Sequence, residues 1–217
     1  MPPLQLVTVA GALSLVSGVI ALAVSYTSYR FHQRVPQVSP LVYLSFGFLL
    51  LGAGLIVQGA LSLALGFRVG NIVEDARLVY LMNVMYLVLE NLAYLVFVVG
   101  YTRAAYAAPA VELALLVTPR EVAQYLLLRH LVFDVSQLVS VVLLVIVIFE
   151  GFLVASSRGS SFSALVLASF VLLLAAHVLM LYASIILEPF YFVVGMIVQF
   201  LSFASLLAFM LRGARVG

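Results

Sequence analysis

The chain has 217 residues, of which 66% are hydrophobic and only 8% are charged. Soluble domains carry about 45–50% apolar and about 25% charged residues, so this composition excludes an ordinary soluble fold and predicts an all-α integral membrane protein. The formal net charge of +2 is too small to indicate a nucleic-acid partner. The absence of cysteine excludes disulfides and thiolate metal ligands, and we predict no cofactor.

The apolar runs are long and continuous, which favours helices over the alternating pattern of a β-barrel. We predict six transmembrane helices forming a single membrane domain over residues 1–217. Met1-Pro2-Pro3 lacks the basic stretch of a signal peptide, so the first run is expected to remain as a helix. The expected location is a multi-pass position in a prokaryotic plasma membrane, with the lipid bilayer as the main partner.

The first two predicted helices, about Leu4–Tyr29 and Leu41–Phe67, carry small residues at regular spacing. In the first they recur every four residues, and in the second every seven. Small residues in register let two helices approach closely in a membrane. We therefore predict a packing face on each helix, formed by Ala10, Ser14 and Gly18 in the first and by Ser45, Gly52 and Gly59 in the second.

The third helix, Tyr80–Tyr101, is the one on which the functional prediction rests, because it carries Glu90 at its midpoint. A charge at that depth costs at least about 2.5 kcal/mol, so such a residue usually faces protein or water rather than lipid. Asn83 lies two turns before it, and tyrosines lie one turn on either side. One face of this helix is therefore polar and aromatic.

The segment from Ala104 to His130 is the longest connection in the chain. Thr118 followed by Pro119 has the pattern of a capped helix start. We predict a short interfacial helix here, or else the aqueous first turns of the fourth transmembrane helix. The last three helices are predicted at 131–156, 162–187 and 190–212, with His177 near the middle of the fifth and Gln199 near the middle of the sixth.

The two halves of the chain, 1–103 and 119–212, show a weak internal similarity. An offset of 124 residues relates the packing face of the second helix to Ser169, Ala176 and Ala183. An offset of 109 residues relates Glu90 to Gln199. With three helices per half, the second half would be inverted, as in many transporters. The alternative is chance similarity in a sequence rich in leucine, valine, alanine and serine.

Six spans would also place both termini on one side of the membrane. The arginines then divide five against five between the two sides, so orientation rests on the first helix. That helix has no arginine before it and two after it, which favours termini outside.

Glu90 is the strongest functional candidate. The functional hypothesis makes it a proton- or ion-binding or gating carboxylate in a cavity lined by His177, Gln58, Asn83 and Gln199. The alternative is a neutral acid that hydrogen-bonds a neighbouring helix. His177 could share a proton with Glu90, ligate haem, or be a core histidine with satisfied hydrogen bonds.

These residues lead to two main hypotheses. The first is a small transporter or channel-like protein. The second is a structural or sensory subunit that binds a membrane partner, or a second copy of itself, through its small-residue faces. A haem or quinone redox subunit is a weaker third. No nucleophile-and-base arrangement or phosphate-binding glycine loop is present, so an enzyme is not expected.

Overall fold

The computed structural model describes residues 3–34, 40–66, 72–106, 131–158 and 161–216. These residues form six α-helices: α1 (Pro3–Arg34), α2 (Pro40–Gly66), α3 (Ile72–Tyr106), α4 (Leu131–Arg158), α5 (Ser161–Ile186) and α6 (Pro189–Val216). Three of the helices begin with proline, whose fixed φ suits the first helical position and whose missing N–H is not needed there. All six helices are long and apolar enough to cross a membrane, so the prediction of six such helices is confirmed.

Helix α3 is longer than predicted. It begins at Ile72 rather than near Tyr80, so Glu74 and Asp75 belong to its first turn. Acidic residues are favoured in the first turn of a helix because they interact well with its dipole. The predicted interfacial helix and its start at Thr118 lie outside the described residues.

The six helices form a ring in which each helix packs against the next one in the chain, and α6 packs against α1. The centre of the ring is filled by large side chains, mostly aromatic and aliphatic. The outer surface is also apolar: valine, leucine, isoleucine and phenylalanine side chains are exposed along every helix. A surface of this kind suits a lipid environment, because lipid chains do not penalise exposed apolar groups as water does.

The contacts between helices fix their relative directions. In α1 and α2, Ser25 bonds Ser45 while Gly18 lies against Gly52, so these helices are antiparallel. The pairs α2–α3, α4–α5 and α5–α6 are antiparallel in the same way.

Helices α3 and α4, however, run parallel. Asn91 bonds Ser136 and Ser140 at one level, and Thr102 bonds Glu150 further along both helices. Tyr106 at the end of α3 and Leu131 at the start of α4 therefore lie at opposite ends of the bundle.

Helices α1 and α6 are also parallel. Ser28 contacts Met210, whereas Ala10 and Leu13 pack on the cluster that contains Met196. Thus α1, α3, α4 and α6 run in one direction, and α2 and α5 run in the other. We call the two ends of the bundle the Pro3 end and the Arg34 end, after the first and last residues of α1.

Two predictions are wrong as a result. The halves α1–α3 and α4–α6 are not inverted, because corresponding helices of the two halves point the same way. The ends of the described chain, Pro3 and Val216, lie at opposite ends of the bundle and not at the same end. Both predictions assumed that each helix is antiparallel to the previous one, and the parallel pair α3–α4 breaks that rule.

Candidate functional site

The centre of the bundle holds a buried cluster of polar side chains from four helices. Helix α3 provides Tyr86, Glu90 and Tyr94, which lie on one face because they are spaced by one turn. The neighbouring helices complete the cluster with Gln137 from α4, His177 from α5 and Gln199 from α6. All six side chains are buried, and His177 is completely so. We call this group the central cluster.

Glu90 is only 1% exposed, and its two oxygens have different surroundings. Oε1 accepts a hydrogen bond from the Tyr86 hydroxyl and lies 3.7 Å from Nε2 of His177. Oε2 is buried and has no hydrogen-bond partner among the described residues. A buried polar atom left without a partner costs about 1–3 kcal/mol, so Oε2 marks a position where one more polar atom or a proton would be stabilised.

The hydrogen bonds of His177 fit a neutral ring with the proton on Nδ1. Gln137 presents Oε1 to Nδ1 at 2.7 Å, and an amide oxygen can only accept, so Nδ1 carries a proton. Nε2 lies 2.5 Å from the Tyr94 hydroxyl, which can donate to it. In a neutral ring with this arrangement, Nδ1 is the donor and Nε2 is the acceptor. A proton arriving at Nε2 would lie within reach of both Tyr94 and Glu90.

Tyr86 links the two halves of the chain. Its hydroxyl donates to Glu90 and accepts from Nε2 of Gln199 at 3.4 Å. Glu90 and Gln199, which the sequence offset relates to each other, therefore meet at one hydroxyl group. The resulting chain of polar contacts runs from Gln199 through Tyr86 to Glu90, and across to His177 and Gln137.

The other two predicted cavity residues lie elsewhere. Gln58 donates to Asn83 at 3.2 Å, in a pair exposed on the α2–α3 side of the bundle nearer the Pro3 end. Asn83 is exposed and Gln58 is half-buried. These residues join α2 to α3 and do not contact Glu90 in the described hydrogen bonds. The structure thus brings together Glu90, His177 and Gln199 but not Gln58 and Asn83.

The small-residue packing faces of α1 and α2 lie inside the protein. An added side-chain carbon on Gly18 or Gly52 would meet backbone of the other helix at 3.0 Å. Ser14 is buried, and Ala10 packs on the cluster around Met196. In α5 the corresponding residues Ser169, Ala176 and Ala183 are buried, and Gly195 of α6 lies against Ala176.

Sequence reasoning missed some of the buried polar residues. Tyr86 and Tyr94 were visible at one-turn spacing from Glu90, but they were treated as context and not as site residues. Gln137 lies near the start of its helix, and nothing in the sequence spacing predicts its contact with His177. Glu150 lies toward the end of the same helix, where a wet interfacial position would be expected, but it is 6% exposed and its Oε1 accepts from Thr102 at 2.6 Å.

The cluster is poorly suited to holding haem or a metal ion. Both ring nitrogens of His177 are already hydrogen-bonded, and His32 lies in the last turn of α1, far from His177 in depth. Among the described residues, no group of three histidine, cysteine or acidic side chains is placed to hold a metal ion. What the cluster can do chemically is accept, donate and pass protons.

Known proteins give no guide to the role of this cluster. Comparisons of the chain with protein-family models, with curated proteins and with solved structures found no match.

Proposed function

We propose that this chain is a small multi-pass membrane transporter or channel-like protein, and that Glu90 binds and releases a proton during its cycle. The observation that carries the proposal is the buried Oε2 of Glu90, which has no partner among the described residues, in a carboxyl group whose Oε1 lies 3.7 Å from Nε2 of His177. Ionisable side chains within membrane segments usually serve a function, because their burial is costly.

A proton fits this site better than a metal cation. Ions such as Na⁺ and Ca²⁺ require several oxygen ligands that all point their lone pairs at the ion. Around Glu90 the groups are mostly donors: the Tyr86 hydroxyl donates to Oε1, and Gln199 donates to Tyr86. His177, at 3.7 Å, is a proton acceptor of the kind used in proton relays.

The arrangement of the helices supports a two-part protein. Around the ring, α1, α2 and α3 are followed by α4, α5 and α6, and the corresponding helices of the two halves run in the same direction. We propose that the halves are parallel repeats, an arrangement found in some transporters. The sequence offsets agree with this pairing, because they relate α2 to α5 and α3 to α6.

The alternative is a structural or sensory subunit that binds a membrane partner through its small-residue faces. It has less support, because Gly52 and Gly59 are used to pack α2 against α1 within the chain. Under this alternative the Glu90 carboxyl would only join helices, and an amide at the same position would serve equally well.

The deciding experiment is the substitution Glu90→Gln. An amide keeps the size and hydrogen bonding of the neutral acid but cannot bind or release the proton. We expect a folded protein whose proton flux in proteoliposomes, driven by a pH gradient, falls at least tenfold. Replacing Na⁺ by choline in both baths should leave the wild-type flux unchanged, since the ion moved is the proton.

The matched control is Glu188→Gln, which removes an exposed carboxyl at the α5–α6 turn. It should keep wild-type flux. Equal flux in wild type and in a folded Glu90→Gln protein would rule out the coupling role and leave the structural alternative. If the wild-type flux required Na⁺, the transported ion would be a metal cation and not the proton.

A further inference from the structure

Glu150, like Glu90, has one carboxylate oxygen without a partner among the described residues, but it is less deeply enclosed and lies in a different part of the bundle. Its side chain is buried between α4 and α3, its Oε1 accepts from Thr102 at 2.6 Å, and its Oε2 has no partner among the described residues. It lies two turns before the end of α4, toward the Arg34 end.

A layer of aromatic side chains lies at a level between those of the two carboxyl groups. Four phenylalanine rings are at most 2% exposed and contact one another across α2, α3, α5 and α6, with centroid distances of 5.0–5.6 Å: Phe48, Phe97, Phe170 and Phe203. On α3 the order is Glu90, then Phe97, then Thr102. Thr102 is twelve residues beyond Glu90, which corresponds to about 18 Å along the helix.

We propose that Glu150, with Thr102, is a second proton-binding site, placed across the aromatic layer from Glu90. The inference deepens the proposed function and rests on it for the role of the second site in transport. Protons would reach Glu90 from the Pro3 end and would leave through Glu150 at the Arg34 end. The aromatic layer between the two sites would prevent a continuous water path in this conformation, so a proton would pass from Glu90 to Glu150 only in a conformation in which the layer is open.

The surroundings of Glu150 favour a proton as its ligand. Within the part of the chain that the structure describes, one hydroxyl and one carboxyl form the site, and these are too few oxygens to hold a metal ion. On α3 the nearby titratable and charged groups are Tyr101, whose ring lies beside Gly151, and Arg103, which is directed to Tyr43 of α2. Helix α5 carries no titratable side chain from Ser161 to Phe170, and Arg158 lies two turns further along α4.

The test is infrared difference spectroscopy of the purified protein in lipid, recorded between two bath pH values. A protonated carboxyl group has its own C=O stretching band, so the method observes Glu150 without relying on flux. We expect wild type to show a pH-dependent carboxyl band that is lost in Glu150→Gln and kept in Glu90→Gln and in Glu188→Gln. In Thr102→Val the same band should remain but shift in frequency, because the hydrogen bond to Oε1 is removed.

Proton flux is then measured in the same variants. Glu150→Gln should lower proton flux at least tenfold. Any separate carboxyl band that disappears in Glu90→Gln should still be present in Glu150→Gln. If no pH-dependent band is lost in Glu150→Gln, or if its flux equals wild type, the second site is ruled out. The outcome for the central cluster is separate, because it depends on the flux of Glu90→Gln alone. If Glu150→Gln does not fold, an unshifted spectrum in Thr102→Val rules out the site.

Discussion

The buried hydroxyl of Tyr94 is the only described donor to Nε2 of His177, and this makes it a sensitive point in the central cluster. Tyr94→Phe keeps the ring that stacks edge-on against His177 but removes the hydroxyl. Nε2 is then left buried without a partner, which should cost about 1–3 kcal/mol of stability. The measurement is the free energy of unfolding in mixed micelles.

The control for this substitution is Tyr182→Phe, which removes a hydroxyl from an exposed tyrosine. It should have little effect. In a His177→Leu background the same Tyr94→Phe change should cost less than it does in wild type, because the hydroxyl then has no ring nitrogen to bond. If Tyr94→Phe and Tyr182→Phe behaved alike, the bond from Tyr94 would not hold His177.

Depth in the membrane explains which site residues could be predicted from the sequence. Glu90, His177 and Gln199 all lie near the middle of their helices, so a common depth correctly suggested that they could meet. Asn83 is on nearly the same face as Glu90 but lies about 10 Å nearer the helix end, where it bonds Gln58 instead. Hydrogen-bond partners on other helices depend on the packing of the ring, and sequence spacing does not contain that information.

At the scale of helices, the close approach of α1 and α2 depends on glycine. A side-chain carbon added to Gly59 would lie 2.6 Å from the backbone nitrogen of Leu15 and 2.7 Å from the carbonyl oxygen of Gly11. Gly59→Ala should therefore force the two helices apart and destabilise the protein by about 1–3 kcal/mol. Alanine's better helix propensity, about 1 kcal/mol, offsets only part of this.

The matched control is Gly151→Ala in α4. Its added carbon would meet the end of the flexible Leu167 side chain at 3.2 Å, and that side chain can rotate away. Gly151→Ala should be neutral or slightly stabilising in the same unfolding assay. Comparable stability of the two variants would mean that the α1–α2 contact tolerates separation.

Most helix boundaries follow from the length of the apolar runs, and the prediction succeeded there because a membrane span must be long and apolar. The exceptions have physical causes. Helix α3 extends back to Ile72 through charged residues, since a helix can continue beyond its apolar part into water. The turn between α5 and α6 is tight: Leu187 has a φ of 56°, and the N–H of Glu188 bonds the carbonyl of Ala183. This is a common way to end a helix.

At the scale of the whole molecule, the parallel pair α3–α4 changes how the arginines are counted. In the described helices, six arginines lie toward the Arg34 end and one lies at the Pro3 end. The six are Arg30, Arg34, Arg103, Arg158, Arg212 and Arg215, and the one is Arg77. Even if the three arginines outside the described residues all lay at the Pro3 end, the Arg34 end would keep the majority. The equal division in the sequence prediction arose only because helix directions were assumed to alternate.

Combined with the predicted location in a prokaryotic plasma membrane, this asymmetry predicts the orientation of the protein. Arginine-rich ends of membrane helices remain on the cytoplasmic side, so the carboxyl terminus should be cytoplasmic and the amino terminus outside.

Epitope tags at the two ends test this orientation. In intact spheroplasts, antibody should reach only the amino-terminal tag. Permeabilised cells, in which both tags are accessible, are the control. Exposure of both tags, or of neither, in intact spheroplasts would contradict the parallel arrangement of α3 and α4. Exposure of the carboxyl-terminal tag alone would keep that arrangement and reverse the orientation. In the expected orientation Glu90 is on the outer side of the aromatic layer and Glu150 on the cytoplasmic side, so the proposed proton path would lead into the cell.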